Sequence, residues 1–135
     1  GLFEYAHRGT LFLDEIEAMS QTLQSKLLRV LQEKEFMRMG GNCIIPTDVR
    51  IIAASNEDLL ERVRQGTFRK DLYYRLNTLP ISIPPLRDRG DDLFLIAAHL
   101  MDRAGTHFTY SPAAQAILRS YRCDGNVREL SNLVE

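Results

Sequence analysis

Asp14 and Glu15 close the uninterrupted apolar run Thr10-Leu-Phe-Leu13. A short run without polar alternation reads as a parallel strand buried on both faces. Ligands of open parallel sheets bind beyond the carboxyl ends of the strands, where these two acids would emerge. A first carboxylate there can hold Mg²⁺, through water, on nucleotide phosphates. A second can orient and activate an attacking water. The dipeptide alone equally describes a strand that ends in two surface acids, so its meaning depends on what shares the edge.

Four other residues bear on that edge. Asn56 ends a second apolar run, Val49-Arg-Ile-Ile-Ala-Ala-Ser55. Its carboxamide can reach the attacking water or a γ-phosphate, can cap a helix over residues 57–65, or can do both. Arg69 and Arg75 flank the run Phe68-Arg-Lys-Asp-Leu-Tyr-Tyr-Arg75. Their spacing on one helix is about 240° net, so they serve one phosphate site only if Arg69 sits at the helix start or on the loop before it. An arginine offered to a neighbour's γ-phosphate is worth about 10³–10⁵ in rate; otherwise the pair is solvated or salt-bridged. Arg128, in Gly125-Asn-Val-Arg-Glu-Leu130, falls in the first turn of a helix, able to reach back to a nucleotide or to form a surface ion pair.

These residues need elements to carry them. Ser20 is placed to cap a helix in which Leu23, Leu27, Leu28 and Leu31 form the apolar stripe, with Gln24, Lys26, Arg29 and Gln32 elsewhere on the wheel. Gly40-Gly41-Asn42 marks a turn or loop. Helices are expected over Glu57–Gln65 and Arg69–Leu76, and a third strand over Leu79–Ile83, closed by Pro84-Pro85. After Arg89-Gly90 the pattern is helical: Asp91 or Asp92 caps a helix to about Ala104, Ser111-Pro112 opens Ala113–Tyr121, and Asn126-Val-Arg-Glu129 has capping-box spacing. Strand–helix alternation followed by helices predicts an α/β core over 1–89 joined to a small helical lid over 90–135.

With 135 residues, 44% of them apolar, the chain has the composition of one globular domain. A formal net charge of −1 gives no global sign of a nucleic-acid binder. Basic residues gather locally, however: Arg62, Arg64, Arg69, Lys70, Arg75, Arg87 and Arg89 stand against Asp71 and Asp88, a stretch suited to phosphates or an acidic partner. Cys43 and Cys123 are solitary and read as reduced thiols. His7, His99 and His107 form no metal-binding cluster. No apolar run approaches the length of a membrane span and no signal peptide is present, so a reducing, soluble compartment is expected.

Taken in order, Gly1 to Ile16, Gln24 to Gln32, Val49 to Leu59, Phe68 to Asn77, Pro84 to Arg89 and Gly125 to Asn132 resemble the sigma-54-dependent transcription activators, the NtrC-type branch of the bacterial AAA+ ATPases. The likeness covers essentially the whole chain. It implies that Asp14 is the magnesium-associated Walker B acid and Glu15 the water-activating acid. Asn56 is similar to the sensor I residue, and Arg69 and Arg75 match arginine fingers that act in trans across a ring interface. Arg128 matches sensor II, reading nucleotide in cis. Phe36 to Asn42 resembles the second pore-facing loop. The implied cofactors are ATP and Mg²⁺. The implied partners are sigma-54 RNA polymerase holoenzyme, further copies in a ring, and DNA only through another domain, in the bacterial cytoplasm.

Departures from the family pattern are local. Arg8 replaces a small residue before the Walker B strand, Lys70 replaces an acid between the fingers, and Cys123-Asp124 replaces Trp-Pro, which predicts looser lid packing. The chain opens on Gly rather than Met, in mid-pattern, and contains no G-x-x-x-x-G-K-[ST] loop and no G-A-F-T-G-A loop. The resemblance places both before Gly1, together with a strand that would lie between the Val49–Ser55 and Leu79–Ile83 strands. The expectation is therefore a piece of an ATPase that hydrolyses nothing alone and folds weakly or aggregates. The alternatives are another AAA+ machine, such as a helicase loader or chaperone, or a degenerate AAA+ module that binds neighbours without hydrolysis.

Overall fold

The computed structural model describes every residue except Met39, Asn42, residues 106–108 and Glu135. The reading of His107 and part of the Gly40–Asn42 turn therefore lie outside the described residues. The chain forms two compact units, Gly1–Pro80 and Ile81–Glu135.

In the first unit, α1 (Leu2–Tyr5) leads to β1 (Thr10–Leu13), a 3₁₀ turn over Ile16–Ala18, and α2 (Gln21–Glu33). A hairpin of β2 (Glu35–Met37) and β3 (Ile44–Pro46) follows, then β4 (Arg50–Ala53), α3 (Leu59–Arg64) and α4 (Lys70–Leu76). β1 and β4 pair in parallel with Leu13 opposite Ala53. β2 and β3 pair antiparallel with Phe36 opposite Ile45. The core gathers Ile16, Leu27, Leu28, Phe68 and Leu72, with Leu13 and Ala53 packed against it. Ser20 caps α2 as the sequence suggests, accepting from the Leu23 amide at 3.4 Å.

Several expectations for this unit are corrected. The β1–β4 pair is covered on one face only: Phe12 and Ile52, opposite each other, are 58% and 44% exposed. No strand forms over Leu79–Ile83. The segment has no ladder partner among the described residues, and its apolar side chains Leu79, Ile81 and Ile83 are about four-fifths exposed (81%, 82% and 79%). The stripe of α2 is also rotated from the expected one. Leu23 is 53% exposed, while Gln24 is fully buried beside Leu27 and Leu28. Gln24, Leu27, Leu28 and Leu31 have the spacing i, i+3, i+4, i+7, which puts a polar side chain inside an apolar face.

The second unit comprises a 3₁₀ turn over Leu86–Asp88 and the helices α5 (Asp92–Arg103), α6 (Pro112–Ser120) and α7 (Asn126–Val134). Its core is Leu86, Leu93, Ala97, Cys123 and Leu130. Ser111 caps α6 through the Ala114 amide at 3.2 Å, with Pro112 at its first position. Asp91 occupies the cap position of α5 without a side-chain cap bond; its carboxylate pairs instead with Arg119 at 2.8 Å. The expected capping box at Asn126 does not form. Asn126 Oδ1 accepts from the Leu86 amide at 2.8 Å, tying α7 to the 3₁₀ turn. Glu129 serves the helix start, accepting from the Gly125 amide at 2.7 Å and from the Tyr121 hydroxyl at 2.6 Å. Those two donors hold its carboxyl below the usual range, Tyr121 foremost. A Cβ on Gly125 would meet Glu129 Cβ at 2.8 Å, so this helix entry requires glycine. Cys123 is buried in a left-handed conformation (φ 46°), and burial pushes its thiol up. It lines a hollow of about 280 Å³ with Leu86, Leu93 and Tyr121.

Candidate functional site

β1 delivers Asp14 to the carboxyl edge of the parallel pair. Its Oδ1 accepts the Glu15 amide at 3.0 Å, and no described protein group occupies the other oxygen. Glu15 takes a left-handed conformation, φ 52° and ψ 47°. For a residue with a Cβ that conformation costs about 1–2 kcal/mol, and such strain gathers at functional positions. Two things hold it there. Ile16, the next residue, is driven into the core at 1% exposure, and its amide donates to the Ala54 carbonyl at 3.1 Å. The strand therefore ends by turning Glu15 out while its successor plugs inward.

β4 brings Asn56 to the same edge. The Ala54 amide donates to the Leu13 carbonyl at 2.8 Å, carrying the ladder to the end of the pair. The Asn56 amide then donates to Glu17 Oε1 at 3.5 Å, a long contact linking the turn after β1 to the residue after β4. Glu17 Oε2 is buried without a hydrogen-bond partner among the described residues. The cap of α3 is Asp58, not Asn56: its carboxylate accepts from Leu60 at 2.8 Å and Glu61 at 3.4 Å. The Asn56 carboxamide is thus free of the helix and exposed at the edge. Asp14, Glu15 and Asn56 are the predicted residues that the fold brings together.

Arg69 and Arg75 lie elsewhere in the unit, along the packing of α4 on α2. Arg69 occupies the N-cap position of α4, the helix-start placement the spacing argument requires. Its guanidinium grips Asp71 with two bonds, Nε to Oδ1 at 3.0 Å and Nη2 to Oδ2 at 2.6 Å, and Nη1 donates to Ser25 Oγ at 3.2 Å. Asp71 holds the guanidinium above its ordinary pKa, and Arg69 holds the Asp71 carboxyl below its own. Arg75 Nη2 donates to the Leu31 carbonyl at 3.1 Å near the end of α2. Arg69 meets α2 at Ser25 and Arg75 meets it at Leu31, so the helices run in the same direction with the contacts six positions apart on each. Neither arginine bonds to Asp14, Glu15 or Asn56. Lys70, between them, is exposed. Arg128 belongs to the other unit, exposed in the first turn of α7 and without an ion pair among the described residues.

Arg8 sits in the left-handed region at φ 62°, with its amide donating to the Asp48 carbonyl at 2.6 Å. That backbone accounts for the small residue expected there. The pore-loop candidate, Phe36 to Asn42, begins in β2 and is described except at Met39 and Asn42; within it Arg38 holds Glu4 of α1 through Nε at 2.7 Å and Nη2 at 3.3 Å. Sequence reading missed Gln24, whose carboxamide fixes the entry to α4. The missed signal was its place in the spacing of Leu27, Leu28 and Leu31.

A partial parallel sheet with an acid pair at its carboxyl edge, followed by a separate three-helix unit, has the arrangement of part of an AAA+ core and its lid. The chain belongs to the Sigma-54 interaction domain family, which matches residues 1–82, and continues as an AAA+ ATPase lid domain over residues 87–135. It is 49% identical to the regulatory protein AtoC of Escherichia coli (strain K12), covering 100% of this chain and 30% of that protein. It is 51% identical to the C4-dicarboxylate transport transcriptional regulatory protein DctD of Pseudomonas aeruginosa, again over 100% of this chain and 30% of the relative. The crystal structure of NtrX from Brucella abortus in complex with ATP superposes with a TM-score of 0.94 at 36% identity, covering 100% of this chain and 32% of that one. The chain therefore spans about a third of the length of these relatives.

Proposed function

We propose that this chain is the hydrolytic and lid portion of a motor that binds and hydrolyses ATP to remodel sigma-54 RNA polymerase and activate transcription. The observation that carries the reading is the meeting of Asp14, Glu15 and Asn56 at one carboxyl edge, with Glu15 turned out in a left-handed conformation. Family membership and the ATP-bound NtrX relative support it.

Mg²⁺ fits this edge. No group of three or more His, Cys, Asp or Glu able to cage a metal occurs among the described residues. Asp14 offers hard carboxylate oxygen, one atom of it uncommitted, as suits an ion held mostly by water and phosphate. Asp14 would hold the ion, which would supply neutralisation of phosphate charge. Glu15 orients and activates the attacking water, and Asn56 reads that water or the γ-phosphate. Arg69 and Arg75 face a neighbouring subunit's nucleotide in a ring, and Arg128 senses nucleotide in cis. No described helix is long and apolar enough to cross a membrane. Membership of a family of bacterial transcription regulators supports a motor that works in the cytoplasm. DNA is reached through another domain.

The test is Glu15→Gln in the intact parent. ATP affinity should stay within a few-fold while turnover falls by about 10²–10⁴, the range for a lost general base. Turnover near the parent's would refute the role of Glu15. Equal failure of both proteins to turn over would favour a non-hydrolysing module.

A further inference from the structure

Gln24 is fully enclosed, and each of its polar atoms is used. Nε2 donates to the Met19 carbonyl at 2.9 Å and to the Thr67 carbonyl at 3.0 Å. Oε1 accepts the Arg69 amide at 2.8 Å. One carboxamide thus fastens together the end of the Asp14–Met19 segment, the loop before α4, and the backbone of Arg69. Next to it on α2, Ser25 Oγ accepts from the Arg69 guanidinium at 3.2 Å. An apolar side chain would suit the stripe of α2 without any need for hydrogen-bond partners. The amide instead needs three, and leaving any of them unmet costs about 1–3 kcal/mol. What it gives in return is position: it sets where the acid-bearing segment ends and where the Arg69 backbone begins.

We infer that Gln24 is the positioning residue for Arg69, with Ser25 holding the guanidinium as its accessory. Through these contacts the finger offered to a neighbour is fixed against the segment that follows the subunit's own Asp14 and Glu15. This rests on the reading of Arg69 as a residue acting in trans.

The test uses the intact, ring-forming parent and measures kcat and KM for ATP in Gln24→Met, Ser25→Ala, Arg69→Ala and the two doubles with Arg69→Ala. A displaced finger is lost from the transition state and not from ground-state binding, so kcat should fall with KM nearly unchanged. Gln24→Met should lower kcat by about 10²-fold, the scale of a 1 Å misplacement. Ser25→Ala should lower it by a smaller factor. Neither change should lower it further once Arg69 is Ala. A purely structural role predicts losses that multiply with that of Arg69→Ala, and this result would overturn the inference. So would parent-like kcat in both single variants alongside a large loss in Arg69→Ala, an outcome that leaves the proposed function standing. Parent-like kcat in Arg69→Ala would remove the finger role and the inference with it. Ser25 is exposed; if Gln24→Met does not fold, the Ser25→Ala and Arg69→Ala cycle decides by the same non-additivity.

Discussion

The carboxyl edge of β1 and β4 and the α2–α4 packing treat their candidate side chains in opposite ways. At the edge, backbone does the holding. Ile16 is plugged into the core, the ladder runs to its last bond, and Asp58 takes the cap, so Glu15 and the Asn56 carboxamide are left exposed. Along α4, side chains do the holding: Arg69 is committed to Asp71 and Ser25, and Arg75 to the Leu31 carbonyl. The contrast fits a division of labour. On the proposed reading, the Glu15 and Asn56 side chains that would meet their own subunit's ligand are left open, whereas the arginines that would meet a neighbour's are positioned by groups of their own unit.

Arg69→Ala tests that contrast most severely. If α4 holds a finger, turnover of the assembled parent should fall by about 10³-fold or more, with little change in stability, because the ion pair is surface-exposed. If α4 is only clamped by its arginines, stability would drop and turnover per folded ring would not. Steady-state ATPase rates beside urea melts of the same preparations separate the two cases.

The clamp has an apolar basis that the arginines only trim. Leu72 is completely buried between α2 and the sheet-side core. Leu72→Ala should destabilise the first unit by about 2–5 kcal/mol, the usual cost of a buried leucine truncated to alanine. Hydrogen-exchange protection of α2 and α4 amides should fall together. Loss confined to α4 would show that the two helices do not form one cooperative block.

At the acid edge, Asp58→Ala should cost about 1 kcal/mol through the lost cap of α3. Asn56→Ala should cost far less in stability yet lower turnover. Equal stability losses would return Asn56 to a capping role and close the edge that the comparison treats as open.

Much of this was legible in the sequence. The apolar run into Asp14-Glu15 marked a parallel strand, Ser20 and Ser111-Pro112 marked helix starts, and the six-residue spacing let Arg69 and Arg75 serve one site only with Arg69 at the helix start or on the loop before it. What stayed hidden depends on tertiary partners. Leu79–Ile83 alternates like a strand but finds nothing to pair with here, and pairing, not pattern, makes a ladder. Gln24 looks like a solvated polar residue until the loop carrying Thr67 folds over it. Asn126 has capping-box spacing, but the Leu86 amide claims its carboxamide. Asp58 could have been favoured over Asn56 as the cap, since it immediately precedes Leu59 and Leu60.

Acid offers the mildest way to probe how the Arg69 side chain is held. The Asp71 carboxyl is held below its usual range chiefly by the Arg69 guanidinium. A group depressed in the folded state contributes stability above its unfolded pKa, about 3.9 for Asp, and loses it as pH falls through the lower folded value. The pair should therefore be intact from neutrality down to about pH 4 and open progressively below it. Both side chains are partly exposed, at 39% and 46%, so solvent and salt screen the effect and global stability should barely register it. A local probe will: the Arg69 Nε–H resonance, followed by NMR in the parent and in Asp71→Asn. Asp71→Asn should abolish the acid transition at this resonance while leaving the Arg69 amide, held by Gln24, protected. Persistence of the transition in Asp71→Asn would mean that another carboxylate holds the guanidinium. Loss of amide protection in Asp71→Asn would mean that the ion pair, rather than Gln24, sets the backbone at the start of α4.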